Sequence, residues 1–442
     1  MALCAVYAAV WGWSIYLSAH DPAALMPVLP EDSTEYAQLA KSLETRNSFT
    51  NSRGQDETFR TPGYPMFVAV AQTPFGGSFF AVTFAQLVLA AVTALLVRKI
   101  GARLFSPLVG DIAGLAFMAN PLTLALAIFI ASDIPFIFLY ALFWWIVVCW
   151  RPRGKAWPVV LAAGLVCAAS AYVRPIGFWE LPIFLAPIAA ARLTLRQACI
   201  WSASILAIAL LCVSPWVLRN KQATGVASFS SLSPYNIVYY NIPMYLASRQ
   251  GTSTAAEKQG IAESTGVPIG EWRDLRSAAP LNRYVIEFIK NHFLDYSKYH
   301  VITSVPMFFT SDIEQSAYLY SVSVRAPFQS SKSVIFGLES GHFGGLSAIF
   351  HPWWKFAERL FLCFCWIMIL CELWTERKKP AVWAVLFVIL YIFLMTGPLA
   401  NARYRLPADP FIYLLAAAGL VRNIQYLYTK KLPSATKPAA MT

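Results

Sequence analysis

The chain has 442 residues, 57% of them hydrophobic and only 13% charged, with a mean hydropathy of +0.53. A soluble core of this size has no use for so much apolar surface and would not keep it in solution, so composition alone indicates a polytopic membrane protein. The net charge of +12 does not indicate a nucleic-acid partner, because the basic residues are scattered through short connections rather than gathered on a soluble face.

Apolar runs long enough to cross ~30 Å of hydrocarbon occur at about 3–19, 79–97, 108–130, 134–150, 157–172, 176–191, 200–217, 357–373, 382–395 and 406–421. They predict an all-α bundle of about ten transmembrane helices. Alternating them puts Arg98, Lys99 and Arg103 on one side with Arg151, Arg153 and Lys155, then Arg192 and Arg196, Arg377, Lys378 and Lys379, and Arg422, Lys430 and Lys431. The positive-inside rule makes that side cytoplasmic. The first run lacks a basic n-region and exceeds a signal-peptide core, so it is expected to stay as a helix. The eight cysteines all fall within apolar runs and imply no disulfide framework.

Two outer connections are long, at 20–61 and 218–351. The expected organisation is therefore an N-terminal transmembrane module at 1–217 that includes the first outer loop, a large outer loop at 218–351, and C-terminal helices with a cytoplasmic tail at 352–442. In the first loop, Tyr36, Leu39, Ala40 and Leu43 recur at helical spacing behind Asp32-Ser33-Thr34-Glu35, which predicts an amphipathic helix lying on the membrane or on neighbouring spans. Leu281, Val285, Phe288, Ile289, Phe293 and Tyr296 form a second such stripe, also expected to lie on the surface. Asp32 with Glu35 fits a capping box as well as a functional pair.

Arginines also occur on the side where the orientation rule disfavours them. Arg60 opens Arg60-Thr61-Pro62-Gly63-Tyr64-Pro65, Arg174 follows the fifth run, Arg219 and Lys221 follow the seventh, and Arg403 and Arg405 precede the last. One such residue is explained by snorkelling to headgroups; the whole set is better explained by an anionic ligand at that boundary. Asp133 opens the fourth run and could cap its helix, share a divalent metal with Asp32, or orient an acceptor. Glu180, a carboxylate inside the sixth run, is expected to pair with Arg174. His292 and His300 are expected to be solvated.

Asp32 through Tyr36, the Arg60-to-Pro65 turn, Ser132-Asp133, Val173-Arg174-Pro175, Pro215-Trp216 with Arg219-Asn220, and Ala402-Arg403-Tyr404-Arg405-Leu406-Pro407 together resemble the signposts of bacterial GT-C glycosyltransferases. The resemblance is to the protein O-mannosyltransferase and lipid A aminoarabinose transferase branch. It implies transfer of a sugar from a polyprenyl-phosphate donor, with inversion, to a glycolipid, polysaccharide or protein acceptor at the outer face of the inner membrane. By the same resemblance Asp32 is the catalytic acidic residue and Arg60 a phosphate-binding one. Arg174, Arg219, Arg403 and Arg405 are further candidates for the donor phosphate, with Asp133 and Glu35 as secondary acids.

Topology supports this on its own terms, since nucleotide sugars are kept in the cytoplasm and an outer site needs a lipid-linked donor. No helix-face metal spacing such as His-Glu-x-x-His occurs, so no cofactor is expected to be obligatory, and a loosely held magnesium or manganese ion stays open. The rival readings are a secondary transporter or lipid flippase, which calls for a polar track through the spans, and an O-antigen polymerase or ligase, which lacks the Asp32-to-Pro65 arrangement.

Overall fold

The computed structural model describes residues 32–150, 156–179, 183, 185–191, 193–323 and 353–431. The first apolar run, the basic cluster at 151–155 and Glu180 lie outside the described residues. Among the described residues the regular secondary structure is helical, apart from one isolated bridge between Thr50 and Asp56.

α1 (Asp32–Arg46) is the predicted amphipathic helix, and it buries Tyr36, Leu39 and Ala40 against the bundle. α2 (Gly63–Gln72) follows the Arg60 turn. Its first residue has to be glycine: a Cβ at Gly63 would lie 2.5 Å from the carbonyl carbon and oxygen of Tyr172. This backbone contact brings the Arg60 turn against the end of α7 (Trp157–Val173) and the start of the Arg174 segment.

α3 (Phe79–Leu104) is the longest of the early apolar helices, about 39 Å at 1.5 Å per residue. The run at 108–130 is not one helix. α4 (Pro107–Ala119) and α5 (Pro121–Ile128) meet at a 53° bend. Asn120 makes the break by accepting from the Leu122 and Thr123 N–H groups while Pro121 occupies the first helical position.

α6 (Asp133–Val148) is apolar and almost wholly buried. The run at 176–191 departs from expectation more strongly: short helices Ile176–Trp179 and Ala186–Ala190 flank its middle. Pro187 sits in the first turn of the second, the place where its missing N–H costs least. α8 (Leu195–Thr224) starts on a capping box from Thr194 and Gln197 and ends on Gly225 at φ +80°. At about 45 Å it outreaches the hydrocarbon, so its last turns carry Arg219 and Asn220 beyond the apolar stretch.

The segment between α8 and residue 304 has a core of its own. α9 (Ile242–Gln250), α10 (Thr254–Thr265) and α11 (Ala278–Ser304) bury Val238, Ile242, Tyr245, Ile261, Trp272, Leu281, Val285 and Phe288 together. The apolar stripe of α11 thus faces protein at these positions rather than a bilayer surface. His300 is also not simply solvated, since its Nε2 lies 2.6 Å from the Leu394 carbonyl. α12 (Asp312–Ser323), α13 (Trp353–Thr375), α14 (Pro380–Thr396) and α15 (Asp409–Lys431) complete the described chain.

Among the described residues three helices are long and apolar enough to cross a membrane by length and composition, and the bent α4–α5 pair makes a fourth. α6 and α7 are apolar but shorter. The chain is a multi-pass, all-α membrane protein, and among the described residues the run at 108–130 is a bent pair broken at Asn120-Pro121 rather than one straight span.

Candidate active site

Six of the sequence-selected residues meet at one end of the bundle. The segment entering α6 is first fixed from three sides. Gln86, fully buried in α3, donates to the Ala127 and Phe129 carbonyls and accepts from the Tyr64 hydroxyl. Ser33 on α1 donates to the Ile130 carbonyl at 2.7 Å, and the Tyr36 and Ser132 hydroxyls lie 3.3 Å apart. The start of α1 is thereby held against the start of α6, and so is Asp32 against Asp133.

Arg403 lies between those two carboxylates. Its Nη2 is 3.0 Å from Asp32 Oδ2 and 2.9 Å from Asp133 Oδ2. Arg60 takes the other oxygen of Asp32 at 2.6 Å, and Arg174 takes Asp133 Oδ1 at 2.6 Å. Arg174 pairs with Asp133 in the described structure; its expected partner Glu180 is outside it. Asp133 is completely buried, whereas the side chains of Asp32, Arg403 and Arg174 keep 28%, 18% and 16% of their exposure. Three guanidiniums on two carboxylates leave a surplus of positive charge at a partly open surface, an arrangement suited to an incoming anion.

Glu35, one helical turn after Asp32, joins this network from the side. Its Oε2 accepts from Arg60 Nε at 2.8 Å, and its Oε1 lies 2.6 Å from Arg273 Nη2. Neither carboxylate of the supposed capping box is spent on the helix start alone. Burial would raise the Asp32 carboxyl, but Arg403 and Arg60 outweigh it and hold the group well below the usual carboxylate range. Burial holds the Tyr404 phenol above its ordinary value against the opposing pull of Arg403 and Arg174, so it remains a hydrogen-bond donor at neutral pH.

Two cavities adjoin the cluster. One of about 80 Å³ is lined by the polar side chains of Arg174, Asn236, Asn241 and Tyr404 and by apolar ones that include Ile392, Met395 and Leu399. Asn241 belongs to a π-helical turn, Ile237–Asn241, and its buried Oδ1 has no hydrogen-bond partner. The other cavity, about 480 Å³, lies between the first outer loop and residues 270–274, with Glu35 and Arg273 on its wall beside Gln38, Asn51, Gln55 and Glu57.

The structure holds the remaining two arginines elsewhere. Arg219 straps the first outer loop, donating to the Phe49 and Glu57 carbonyls and to Asp56. Arg405 is fully buried between Asp312 and Asp409 at 2.7 and 2.9 Å and donates also to the Met307 and Thr310 carbonyls. Neither contacts the Arg403 cluster. Sequence reasoning passed over Arg273 and Asn241; the one local signal for Arg273 is the neighbouring Trp272, a buried anchor bonded to the Val267 carbonyl.

A divalent ion shared by Asp32 and Asp133 would have to displace the Arg403 guanidinium. Among the described residues no group of three metal-ligating side chains occurs.

No protein-family profile and no curated protein matches the chain. Among solved structures it is similar to the oligosaccharyltransferase of Archaeoglobus fulgidus in its apo form, at 16% identity over 90% of this chain and 47% of that one, with a TM-score of 0.50. The same enzyme in complex with zinc and sulfate aligns at 14% identity over 90% and 46%, also at 0.50. ArnT from Cupriavidus metallidurans in the apo state aligns at 13% identity over 96% of this chain and 81% of that one, with a TM-score of 0.40, too loose to weigh further. The chain spans about half the length of the oligosaccharyltransferase. At these identities the likeness establishes the fold, which is the all-α polytopic GT-C fold.

Proposed function

We propose, from the GT-C fold and the Arg403 cluster, that this protein is a glycosyltransferase that moves a sugar from a polyprenyl-phosphate carrier to an acceptor hydroxyl. The reaction takes place at the outer face of the inner membrane. The observation that carries this reading is Arg403 bridging Asp32 and Asp133, with Arg60 and Arg174 beside it, next to a cavity that Arg174 lines together with both polar and apolar side chains. That pairing of features suits a phosphate carried on a hydrocarbon chain.

In the reaction the acceptor oxygen attacks the anomeric carbon from the face opposite the phosphate. Its proton passes to Asp32, the bond from the anomeric carbon to the phosphate oxygen breaks, and polyprenyl phosphate departs with the electron pair. One displacement inverts the anomeric centre. Arg403, Arg60 and Arg174 offset the charge growing on the leaving phosphate, and the Tyr404 phenol adds a neutral donor. Asp32 held by two guanidiniums is a weak base; a donor phosphate that competes for Arg60 and Arg403 frees one of its oxygens and raises its basicity when the acceptor needs it.

The polar cavity beside Glu35 suits a hydroxyl-rich acceptor arriving from the aqueous side, whether the sugar part of a glycolipid, a polysaccharide or a protein. Magnesium or manganese has no step assigned to it, because the guanidiniums already supply the positive charge.

The test compares lipid, polysaccharide and protein fractions from cells carrying the wild-type chain or Asp32→Asn by mass spectrometry. A sugar missing from one fraction in the variant is the expected result. Identical fractions with equal protein levels would contradict the reading.

A further inference from the structure

Two helices that reach the candidate site, α6 and α14, have the other end at a third cavity, of about 310 Å³, where α3 also ends. α6 begins at Asp133 in the Arg403 cluster and ends at Val148 in this cavity's wall, about 24 Å away along the helix. α14 ends near the site with Ile392 and Met395 and begins here with Pro380 and Ala381; α3 ends here with Arg103 and Leu104. The remaining wall is Phe105 and Ala189 to Ala191.

The lining therefore has an apolar majority, two cations (Arg103 and Lys379) and no carboxylate. Arg103 is exposed. The Lys379 side chain, 51% exposed, lies 3.1 Å from Glu376, an acid that Arg422 also engages, so its charge is only partly offset. The start of α14 adds a positive helix-dipole field at this end, although Pro380 has no N–H and the Val382 N–H donates to the Lys379 carbonyl. Cations on an apolar cavity at a helix boundary call for a ligand that is anionic at one end and apolar next to it. Free phosphate would satisfy the cations and waste the walls.

We infer that the protein binds an anionic phospholipid in this cavity, at the membrane face opposite the candidate active site, with the phosphate between Arg103 and Lys379 and the glycerol and first methylenes against Val148, Ala190, Ala191 and Phe105. The site is independent of the proposed transfer chemistry. Its ligand holds the ends of α3, α6 and α14 together, and of these α6 carries Asp133 into the Arg403 cluster and α14 carries Ile392 and Met395 into the adjoining cavity.

The experiment uses the purified full chain in nanodiscs of phosphatidylcholine and measures, by native mass spectrometry and thermal unfolding, the binding of added phosphatidylglycerol, of sn-glycerol 3-phosphate and of inorganic phosphate. One saturable phosphatidylglycerol per chain is expected, with a rise in melting temperature that neither soluble phosphate reproduces. Replacing both cations, Arg103→Ala with Lys379→Ala, weakens that binding roughly 30-fold, at about fivefold for each basic residue near the surface. Lys378→Ala, which removes a neighbouring charge outside the cavity, leaves it within about twofold.

Should the double alanine variant fold poorly, Arg103→Lys with Lys379→Arg is expected to retain the preference, while Lys379→Ala alone loses part of it. Equal affinity for phosphatidylcholine and phosphatidylglycerol, equal loss from Lys378→Ala, or full protection by soluble phosphate would each overturn the inference.

Discussion

Arg403 and Arg405 stand two residues apart on the same short turn, Ala402–Arg405, and each is bound by two aspartates. Their surroundings differ completely. Arg405 is fully buried, and its donors are met by Asp312, Asp409 and two backbone carbonyls, while Asn120 bonds both of those aspartates and Tyr413 closes the group. Arg403 remains partly open, is flanked by two more guanidiniums, and adjoins a cavity. The same ion-pair chemistry is thus used once as an internal cross-link that joins α4, α5, α12 and α15, and once as a surface with charge to spare. Access, not residue type, separates the buried cross-linking arginine from the one proposed to meet the donor phosphate.

The widest separation between the two regions is expected from paired substitutions. Asp32→Asn keeps a hydrogen-bonding partner for Arg60 and Arg403 but cannot take a proton. Transfer should fall roughly two to four orders of magnitude, the usual range for a lost general base, while the variant still folds, its melting temperature lowered only by the share the Asp32 charge contributes. Near wild-type turnover in a folded Asp32→Asn protein would remove Asp32 from catalysis and leave Asp133 as the acid to consider.

Arg405→Ala should do the reverse. It leaves two buried carboxylates without their cation, a loss of about 3–5 kcal/mol when one partner of a buried pair is removed. Less folded protein should be recovered, while the folded fraction keeps its KM for donor. If instead Arg405→Ala expressed and melted normally but lost donor affinity, the division between the clusters would be wrong.

A smaller effect is expected at Gly63. The added methyl of Gly63→Ala meets the Tyr172 backbone, where no flexible side chain can give way, so a cost of about 1–3 kcal/mol follows from overpacking. Because the shift also moves Arg60, transfer should fall further than stability alone explains, which a comparison of rate per folded molecule would reveal.

The smallest effect concerns pH. The Asp32 carboxyl is depressed below its ordinary value, so the stability it contributes is fully present above the unfolded carboxylate pKa of about 4 and is lost only as pH falls through its lower folded value. Melting temperatures of wild type and Asp32→Asn should therefore run parallel between about pH 5 and 8 and converge only below about pH 4. Divergence near neutrality would show that Asp32 is not held by Arg403 and Arg60.

The sequence made the open cluster largely legible, because Arg60, Arg174 and Arg403 carry charge where the orientation rule gives no reason for it, and Asp32 and Asp133 open helices on the same side. It did not distinguish Arg405 from Arg403. Asp409, an i,i+4 partner, is the local half of that distinction, but the distinction depends also on Asp312, whose approach to Arg405 is set by tertiary packing and leaves no local pattern. Arg273 was illegible for the same reason, since it reaches Glu35 from a distant loop. The helical character of the bundle followed from the apolar runs, but the break at Asn120 did not. There an Asn-Pro turn signal lay inside a run whose hydrophobicity outweighed it.

The most direct measurement is the affinity of a polyprenyl phosphate for the purified protein, compared between Arg403→Ala and Arg219→Ala. Both remove one outer arginine, but only Arg403 belongs to the open cluster, whereas Arg219 is committed to the Phe49 and Glu57 carbonyls and Asp56. Loss of a charge-assisted bond to phosphate, about 1.5–3 kcal/mol, predicts binding roughly 10- to 150-fold weaker for Arg403→Ala and nearly unchanged for Arg219→Ala. Wild-type affinity in Arg403→Ala, with the loss appearing in Arg219→Ala, would contradict the assignment of the donor phosphate to the Arg403 cluster.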